Sequence, residues 1–187
     1  MSSVRTPVPE RWTVWLLGVL LAFEQVMYAA LTPVLPLYAR EFSASKTAIG
    51  LLAAAYPAGT VVGSLLGGWI ATRTGVRRMT IAGLLIFTAA IAPFGFGSSI
   101  AVIGGLRFIQ GVASGWIWIA GLAWVIAIAP RPRRGEVLGS VLAWSIYGTL
   151  AGTVIGTLAD AIGTEIVFAC VGILALGLTA WTLGFRE

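Results

Sequence analysis

One acidic residue, Glu24, lies near the middle of a long apolar segment that begins at Trp12. An ionisable side chain at such a depth in a hydrocarbon layer costs several kcal/mol, so chains keep one where it faces a water-filled cavity, a charged partner or both. A carboxylate in a hydrated cavity can bind a proton or a cation. We therefore predict that Glu24 is a site of proton or cation binding.

A second charged residue, Arg107, lies within a later apolar segment, and polar side chains follow it at helical spacing. Positions i, i+3, i+7 and i+11 form one stripe on a helix. The residues at these positions are Arg107, Gln110, Ser114 and Trp118. At about 1.5 Å per residue, Glu24 lies roughly 18 Å along its helix, and Arg107 roughly 10–14 Å along one that enters from the opposite side. The two charges therefore reach comparable depth.

Proximity of these two charges would make the protonation of Glu24 depend on conformation. The proton affinity of a carboxylate changes with the distance of a guanidinium and with access of water. Movement of one helix against the other could thus couple proton binding to a conformational cycle. A substrate cation would compete with the proton for Glu24, whereas an anion would favour Arg107. The alternative is a fixed ion pair that only orients two helices.

Composition indicates the elements that hold these residues. The chain is 58% hydrophobic and 10% charged, with a mean hydropathy of +0.95, whereas soluble domains carry about a quarter charged residues. Its apolar segments are long enough to cross a hydrocarbon core of roughly 30 Å as helices. We predict an all-α membrane protein, one domain over residues 1–187. The predicted transmembrane helices are 12–38, 48–71, 79–97, 100–128, 137–158 and 165–183.

Charge distribution predicts the orientation. Of the twelve Lys and Arg residues, nine lie at the termini and in the breaks at 72–78 and 129–136. Only Arg40 and Lys46 lie on the opposite side. The positive-inside rule therefore places both termini in the cytoplasm, in a multi-pass protein of the inner or plasma membrane that contacts lipids. Because the basic residues are divided among short clusters between apolar segments, we do not expect nucleic-acid binding.

Small residues recur at four-residue spacing in three of the predicted helices. They are Gly59, Gly63 and Gly67, then Gly111 and Gly115, then Gly148, Gly152 and Gly156. Helices with such faces can approach closely, which drives packing in lipid. The seams could serve packing alone, or they could also let helices rock against one another.

Several kinds of chemistry have no support in the sequence. Histidine is absent and Cys170 is the single cysteine, so we expect neither a His or Cys metal site nor a disulfide framework. No phosphate-binding loop of the G-x-x-x-x-G-K-[ST] type occurs. We therefore expect no cofactor and no enzymatic activity. Aromatic residues could instead wall a cavity for an apolar or cationic aromatic substrate, although packing or lipid contact would also explain them: Tyr28, Tyr56, Trp118 and Trp144.

The segment GGWIATRTGVRRM, residues 67–79, resembles the loop signature G-x-L-A-D-R-x-G-R-[KR] of the major facilitator superfamily. The matching residues are Gly68, Ala71, Arg73, Gly75, Arg77 and Arg78. Thr72 stands at the acidic position and Val76 at the first basic position after the glycine. In the family the carboxylate latches the outward-facing state, so the resemblance implies a weaker or differently partnered latch here. A plain topology signal would also account for the arginines.

Two further segments resemble motifs of the same superfamily. Arg107, Gln110 and Gly111 match R-x-x-Q-G, and the glycines of the fifth predicted helix partly match the antiporter signature G-x-x-x-G-P-x-x-G-G. The resemblance implies a six-helix half bundle of two three-helix repeats, in which the first and fourth helices line a central cavity. It thus implies a substrate cavity that includes Tyr28, Arg107, Gln110, Ser114 and Trp118, with Glu24 as the coupling site.

Family members hold their substrates between two six-helix halves, so the resemblance implies that this chain works with a second half, either a separate chain or a second copy. The expected function is secondary active transport of small molecules, with proton-coupled efflux of a drug-like compound or metabolite as the leading subtype. The alternative is a non-transporting membrane subunit, or a fragment without activity of its own.

Overall fold

The computed structural model describes residues 10–91 and 99–184. The helices, in chain order, are α1 (Glu10–Glu41), α2 (Lys46–Thr74), α3 (Val76–Ile91), α4 (Ile100–Ile128), α5 (Arg134–Ile162) and α6 (Thr164–Gly184), with a 3₁₀ turn at Arg131–Arg133. Ser45 and Ser99 cap the starts of α2 and α4 by accepting a backbone N–H three residues later, as helix N-termini require. The predicted all-α architecture is confirmed for the described residues.

Five of the helices are long and apolar enough to cross a membrane, namely α1, α2, α4, α5 and α6. The described part of α3 has 16 residues, and residues 92–97 of the predicted third span lie outside the described residues. The structure therefore supports a multi-pass helical protein, while the count of six spans stays a prediction.

Two connections are shorter than the sequence predicted. The expected break at 72–78 contains one non-helical residue, Gly75, and the expected break at 159–164 contains Gly163 alone. Both glycines have positive φ angles, 86° and 107°, which only glycine adopts without steric cost, so each redirects the chain in a single step. The polar residues beside them extend the helices, because helix formation does not require apolar side chains.

Replacing Gly75 with alanine is expected to lower the free energy of unfolding by about 1–3 kcal/mol, because its φ of 86° and ψ of 147° lie in a region that L side chains avoid. Thermal unfolding in detergent would measure the effect. Gly68→Ala is the matched control, since a Cβ there meets nothing within 4 Å and alanine favours a helix. Equal stability of both variants would contradict the prediction.

Glycines bring two pairs of helices into backbone contact. On α5, a Cβ at Gly148 or Gly156 would lie 2.1 Å from a carbonyl oxygen of α1. Between α2 and α4, a Cβ at Gly111 would lie 2.1 Å from the carbonyl oxygen of Tyr56, and one at Gly63 would lie 2.2 Å from that of Val112. The predicted packing seams are confirmed, whereas rocking along them stays a prediction.

Helix α1 joins these two pairs. It packs along α5 through the glycine seam and also contacts α2, α4 and α6. Buried leucines of its first half and Phe87 of α3 belong to one hydrophobic core. The middle of α1, which carries Glu24, consequently faces the tightly packed α2–α4 pair.

Candidate functional site

A cavity of about 370 Å³ lies between α1, α2 and α4. Its walls combine one carboxylate, several hydroxyl or amide groups and three aromatic rings. The lining residues are Glu24, Gln25, Tyr28, Tyr56, Pro57, Thr60, Ser64, Ser114 and Trp118. The size suits a small organic molecule, and a largely apolar wall with a few polar groups is typical of ligand sites.

Glu24 forms the polar centre of this cavity. It is 1% exposed and accepts three hydrogen bonds. The hydroxyl of Tyr56 and the Oγ of Ser114 donate to Oε1, the latter over 2.6 Å, and the indole Nε1 of Trp118 donates to Oε2 over 2.9 Å. Three neutral donors thus hold a buried carboxylate, in agreement with the rule that a buried polar group needs hydrogen-bond partners.

The local sequence explains how these donors converge. Ser114 and Trp118 are four residues apart, so they lie on one face of α4 and approach Glu24 together. Gly111 and Gly115 lie beside that face and let the backbone of α2 come close. This close approach of α2 brings the ring of Tyr56 within reach of α1. Tyr28 lies on the cavity side of α1, 42% exposed, with its ring centroid 5.1 Å from that of Tyr56.

Arg107 is 2% exposed and lies behind the cavity. Its Nη1 donates to the carbonyl oxygen of Met27 over 3.0 Å and to Oε1 of Gln110 over 3.1 Å. Its Nη2 donates to the carbonyl oxygen of Tyr28 over 3.2 Å, and its Cζ lies 4.6 Å from the centroid of the Tyr56 ring. The guanidinium therefore ties α4 to the backbone of α1.

The arrangement of the buried charges is less direct than a facing pair of Glu24 and Arg107. Among the described residues, the side chains that donate hydrogen bonds to Glu24 are Tyr56, Ser114 and Trp118, and not Arg107. Tyr56 also contacts Arg107, through its ring. Arg107 and Gln110 also lie outside the cavity lining, unlike Tyr28, Ser114 and Trp118. Spacing within α1 and α4 predicted the depth of the two charges in the membrane and the helix face on which Arg107 lies. It could not show that a side chain of α2, Tyr56, contacts both charges. A role of Arg107 and Gln110 in substrate binding stays a prediction.

Two lining residues of α2, Thr60 and Ser64, were missed by sequence reasoning, whereas Tyr56 had been considered as a cavity wall. The three recur every four residues and form a polar stripe, a signal equal to the one recognised on α4. Gln25 accepts a hydrogen bond from Thr149 of α5 over 3.2 Å. Trp144, considered as a wall, packs against Gly18 and Trp15 instead.

The loop motif occupies the junction of α2 and α3. The guanidinium of Arg73 stacks on Trp69, 3.7 Å from the ring centroid, and the hydroxyl of Thr72 donates to the carbonyl oxygen of the same Trp69 over 2.8 Å. Arg77 is half-buried and Arg78 is exposed. Thr72 therefore bonds within its own helix, where the family motif has a carboxylate. The functional role of the motif residues stays a prediction.

The fold and the cavity define a multi-pass helical membrane protein with a buried acid at an internal site. A family model for the Major Facilitator Superfamily matches residues 14–187, and the chain belongs to this family of transporters. Within residues 10–91 and 99–184, no group of three or more His, Cys, Asp or Glu side chains could hold a metal ion.

Curated relatives agree with this assignment. The chain is 31% identical to the MFS-type transporter ppzB of Metarhizium rileyi, over 80% of this chain and 32% of that protein. It is 28% identical to Multidrug resistance protein 2 of Bacillus subtilis, over 77% of this chain and 36% of the relative. The quinolone resistance protein NorA of Staphylococcus aureus is also 28% identical, over 81% of this chain and 38% of that protein.

A solved structure shares the fold. The crystal structure of a bacterial homolog of the human lysosomal transporter Spinster, inward-facing and unoccupied, superposes with a TM-score of 0.82 at 14% identity, over 98% of this chain and 44% of that one. The chain spans about a third of the length of the curated relatives it matches.

Proposed function

We propose that this chain carries the coupling site of a secondary active transporter that exports a drug-like compound or metabolite in exchange for protons. The observation that carries the proposal is Glu24, a carboxylate 1% exposed that lines a cavity between three helices. An intramembrane acid at a cavity wall marks an ion or substrate pathway in membrane proteins.

The hydrogen bonds of Glu24 supply a coupling mechanism. An ionised carboxylate offers acceptor sites only, which suits the donors from Tyr56, Ser114 and Trp118. A protonated carboxyl group carries no negative charge, so it would accept all three hydrogen bonds more weakly. Because the donors belong to α2 and α4 while Glu24 belongs to α1, protonation would loosen the contact between these helices.

The cavity favours an aromatic organic cation as substrate. The rings of Tyr28, Tyr56 and Trp118 line the space beside the carboxylate, and aromatic faces attract cations. A cation that reached Glu24 would compete with a proton for the same charge. Relatives named for multidrug and quinolone resistance are consistent with a drug-like substrate.

A second helical bundle would complete the pathway. Alternating access in this family requires two halves, and α2 and α5 present exposed apolar side chains such as Val61, Leu65, Ile146 and Leu150. We propose that the second bundle is supplied by a separate chain or by a second copy of this chain. Basic residues near the junctions, together with the positive-inside rule, support cytoplasmic termini in the inner or plasma membrane.

The test is reconstitution in liposomes with an imposed proton gradient. Uptake of tetraphenylphosphonium that requires the gradient, together with dissipation of the gradient by the added cation, is the expected result for the chain alone or with a co-expressed partner half. Neither signal in either preparation would reject transport and would favour a subunit or a fragment without activity of its own.

Replacing Trp118 with alanine is expected to weaken tetraphenylphosphonium binding about thirtyfold, because a desolvated cation–π contact is worth about 2 kcal/mol and each 1.4 kcal/mol corresponds to about tenfold in affinity. Equilibrium dialysis with the purified protein would measure it. Trp181→Ala is the matched control, since Trp181 lies exposed on α6. The idea fails if both variants bind the cation with the affinity of the wild type.

A further inference from the structure

One side chain of α2, Tyr56, contacts both buried charges of the bundle. Its hydroxyl donates to Oε1 of Glu24, and its ring faces the guanidinium of Arg107 at 4.6 Å. The residue is 4% exposed, and its backbone lies against Gly111 of α4. Tyr56 therefore contacts the carboxylate on α1 through its hydroxyl and the cation on α4 through the face of its ring.

We propose that Tyr56 is a positioning residue that sets the protonation of Glu24 in two opposite ways. Its hydroxyl stabilises the ionised carboxylate, while its ring occupies space into which the guanidinium of Arg107 would have to move to approach that carboxylate. This proposal deepens the proposed function, because it assigns a control element to the proton site.

The hydroxyl contribution follows from the character of the acceptor. A hydrogen bond to a charged group is stronger than one between neutral groups, so each donor that reaches Glu24 favours its ionised form. Tyr56 and Ser114 share Oε1, and Trp118 serves Oε2. Loss of the tyrosine hydroxyl leaves one donor on Oε1, and Glu24 should then bind its proton at a higher pH.

The ring contribution follows from the position of Arg107. Backbone oxygens of Met27 and Tyr28 hold the guanidinium one turn along α1 from Glu24, and the face of the Tyr56 ring packs against it. Coulomb attraction falls with distance, so a ring at this place weakens the effect of Arg107 on the carboxylate. A small side chain at position 56 would let the guanidinium approach and favour the ionised form.

The titratable and charged groups near Glu24 come from three helices. They are Arg107 from α4, Tyr56 from α2, and Tyr28 on α1 itself. Helix α5 meets this part of α1 with Gly148, Thr149 and Gly152. Tyr56 is the member of this set that touches both Glu24 and Arg107. Its hydroxyl contacts the first and its ring the second, so substitutions that remove the hydroxyl alone or the whole side chain separate the two contributions.

The experiment measures protonation of Glu24 without relying on transport. Dicyclohexylcarbodiimide, an apolar reagent that modifies protonated carboxyl groups, is added to the purified chain in detergent over a range of pH. Mass spectrometry of the peptide that contains Glu24 then gives the modified fraction at each pH. Circular dichroism confirms that every variant retains its helices.

Tyr56→Phe removes the hydroxyl and keeps the ring, and the midpoint of modification should rise by about one pH unit. Tyr56→Ala removes both, and its midpoint should lie below that of Tyr56→Phe. In an Arg107→Gln background this difference should vanish. Tyr147→Phe, at an exposed tyrosine of α5, is the matched control and should keep the wild-type midpoint. If alanine at position 56 prevents folding, Tyr56→Leu replaces it.

A wild-type midpoint in Tyr56→Phe would overturn the hydroxyl role. Equal midpoints for the phenylalanine and the small-residue variant would overturn the spacer role. The readout also separates this proposal from the proposed function. Shifted midpoints in a chain that moves no cation would reject transport alone, whereas proton-driven uptake with unshifted midpoints would reject the role of Tyr56 alone.

Discussion

Replacement of Glu24 by glutamine is expected to abolish proton-driven uptake and to weaken tetraphenylphosphonium binding roughly tenfold to hundredfold. Glutamine has nearly the same shape but carries no charge and takes up no proton. Its amide nitrogen would also meet a donor, either the indole N–H of Trp118 or a hydroxyl. A charge-assisted contact is worth about 1.5–3 kcal/mol, and each 1.4 kcal/mol corresponds to about tenfold in affinity.

Uptake into liposomes and equilibrium dialysis would measure the two effects, and Glu165→Gln supplies the control. Glu165 is an exposed acid in the first turn of α6, remote from the cavity lining, so its replacement should leave both quantities unchanged. Proton-driven uptake that persists in Glu24→Gln would remove this residue from the coupling mechanism and leave it a purely structural role.

Alanine at Gly156 is expected to disrupt the packing of α1 on α5. A Cβ there would lie 2.1 Å from the carbonyl oxygen of Ala30, and both groups belong to helix backbones that cannot rotate away. Overpacking costs about 1–3 kcal/mol where side chains can adjust, so we expect a loss of about 3 kcal/mol or more. The melting temperature in detergent should fall by roughly 6–12 °C.

The matched control lies on the same helix. A Cβ at Gly139 meets nothing within 4 Å, so Gly139→Ala should be neutral or slightly stabilising, by up to about 1 kcal/mol, because alanine favours helices. A melting temperature of Gly156→Ala that matches Gly139→Ala would show that the two helices can separate without loss, and that the seam does not stabilise the bundle.

The agreement between sequence and structure is closest where one helix is considered alone. Ser114 and Trp118 lie on one face of α4, as their spacing predicted, and both reach Glu24. The glycines of α5 face α1. The largest difference concerns Arg107, because its distance from Glu24 depends on a third helix. The polar stripe of Tyr56, Thr60 and Ser64 was present in the sequence but carries no charge, so it was less conspicuous than the stripe of α4.

From the sequence alone follow the helical architecture, the burial of one acid and one base, and the faces along which glycines allow helices to meet. Each is a property of one segment, since apolar length requires a helix in lipid and helical periodicity selects a face. Tertiary structure alone decided that Tyr56 of α2 contacts both Glu24 and Arg107. Contacts among three helices depend on how their backbones pack, and the periodicity of a single helix does not predict that arrangement.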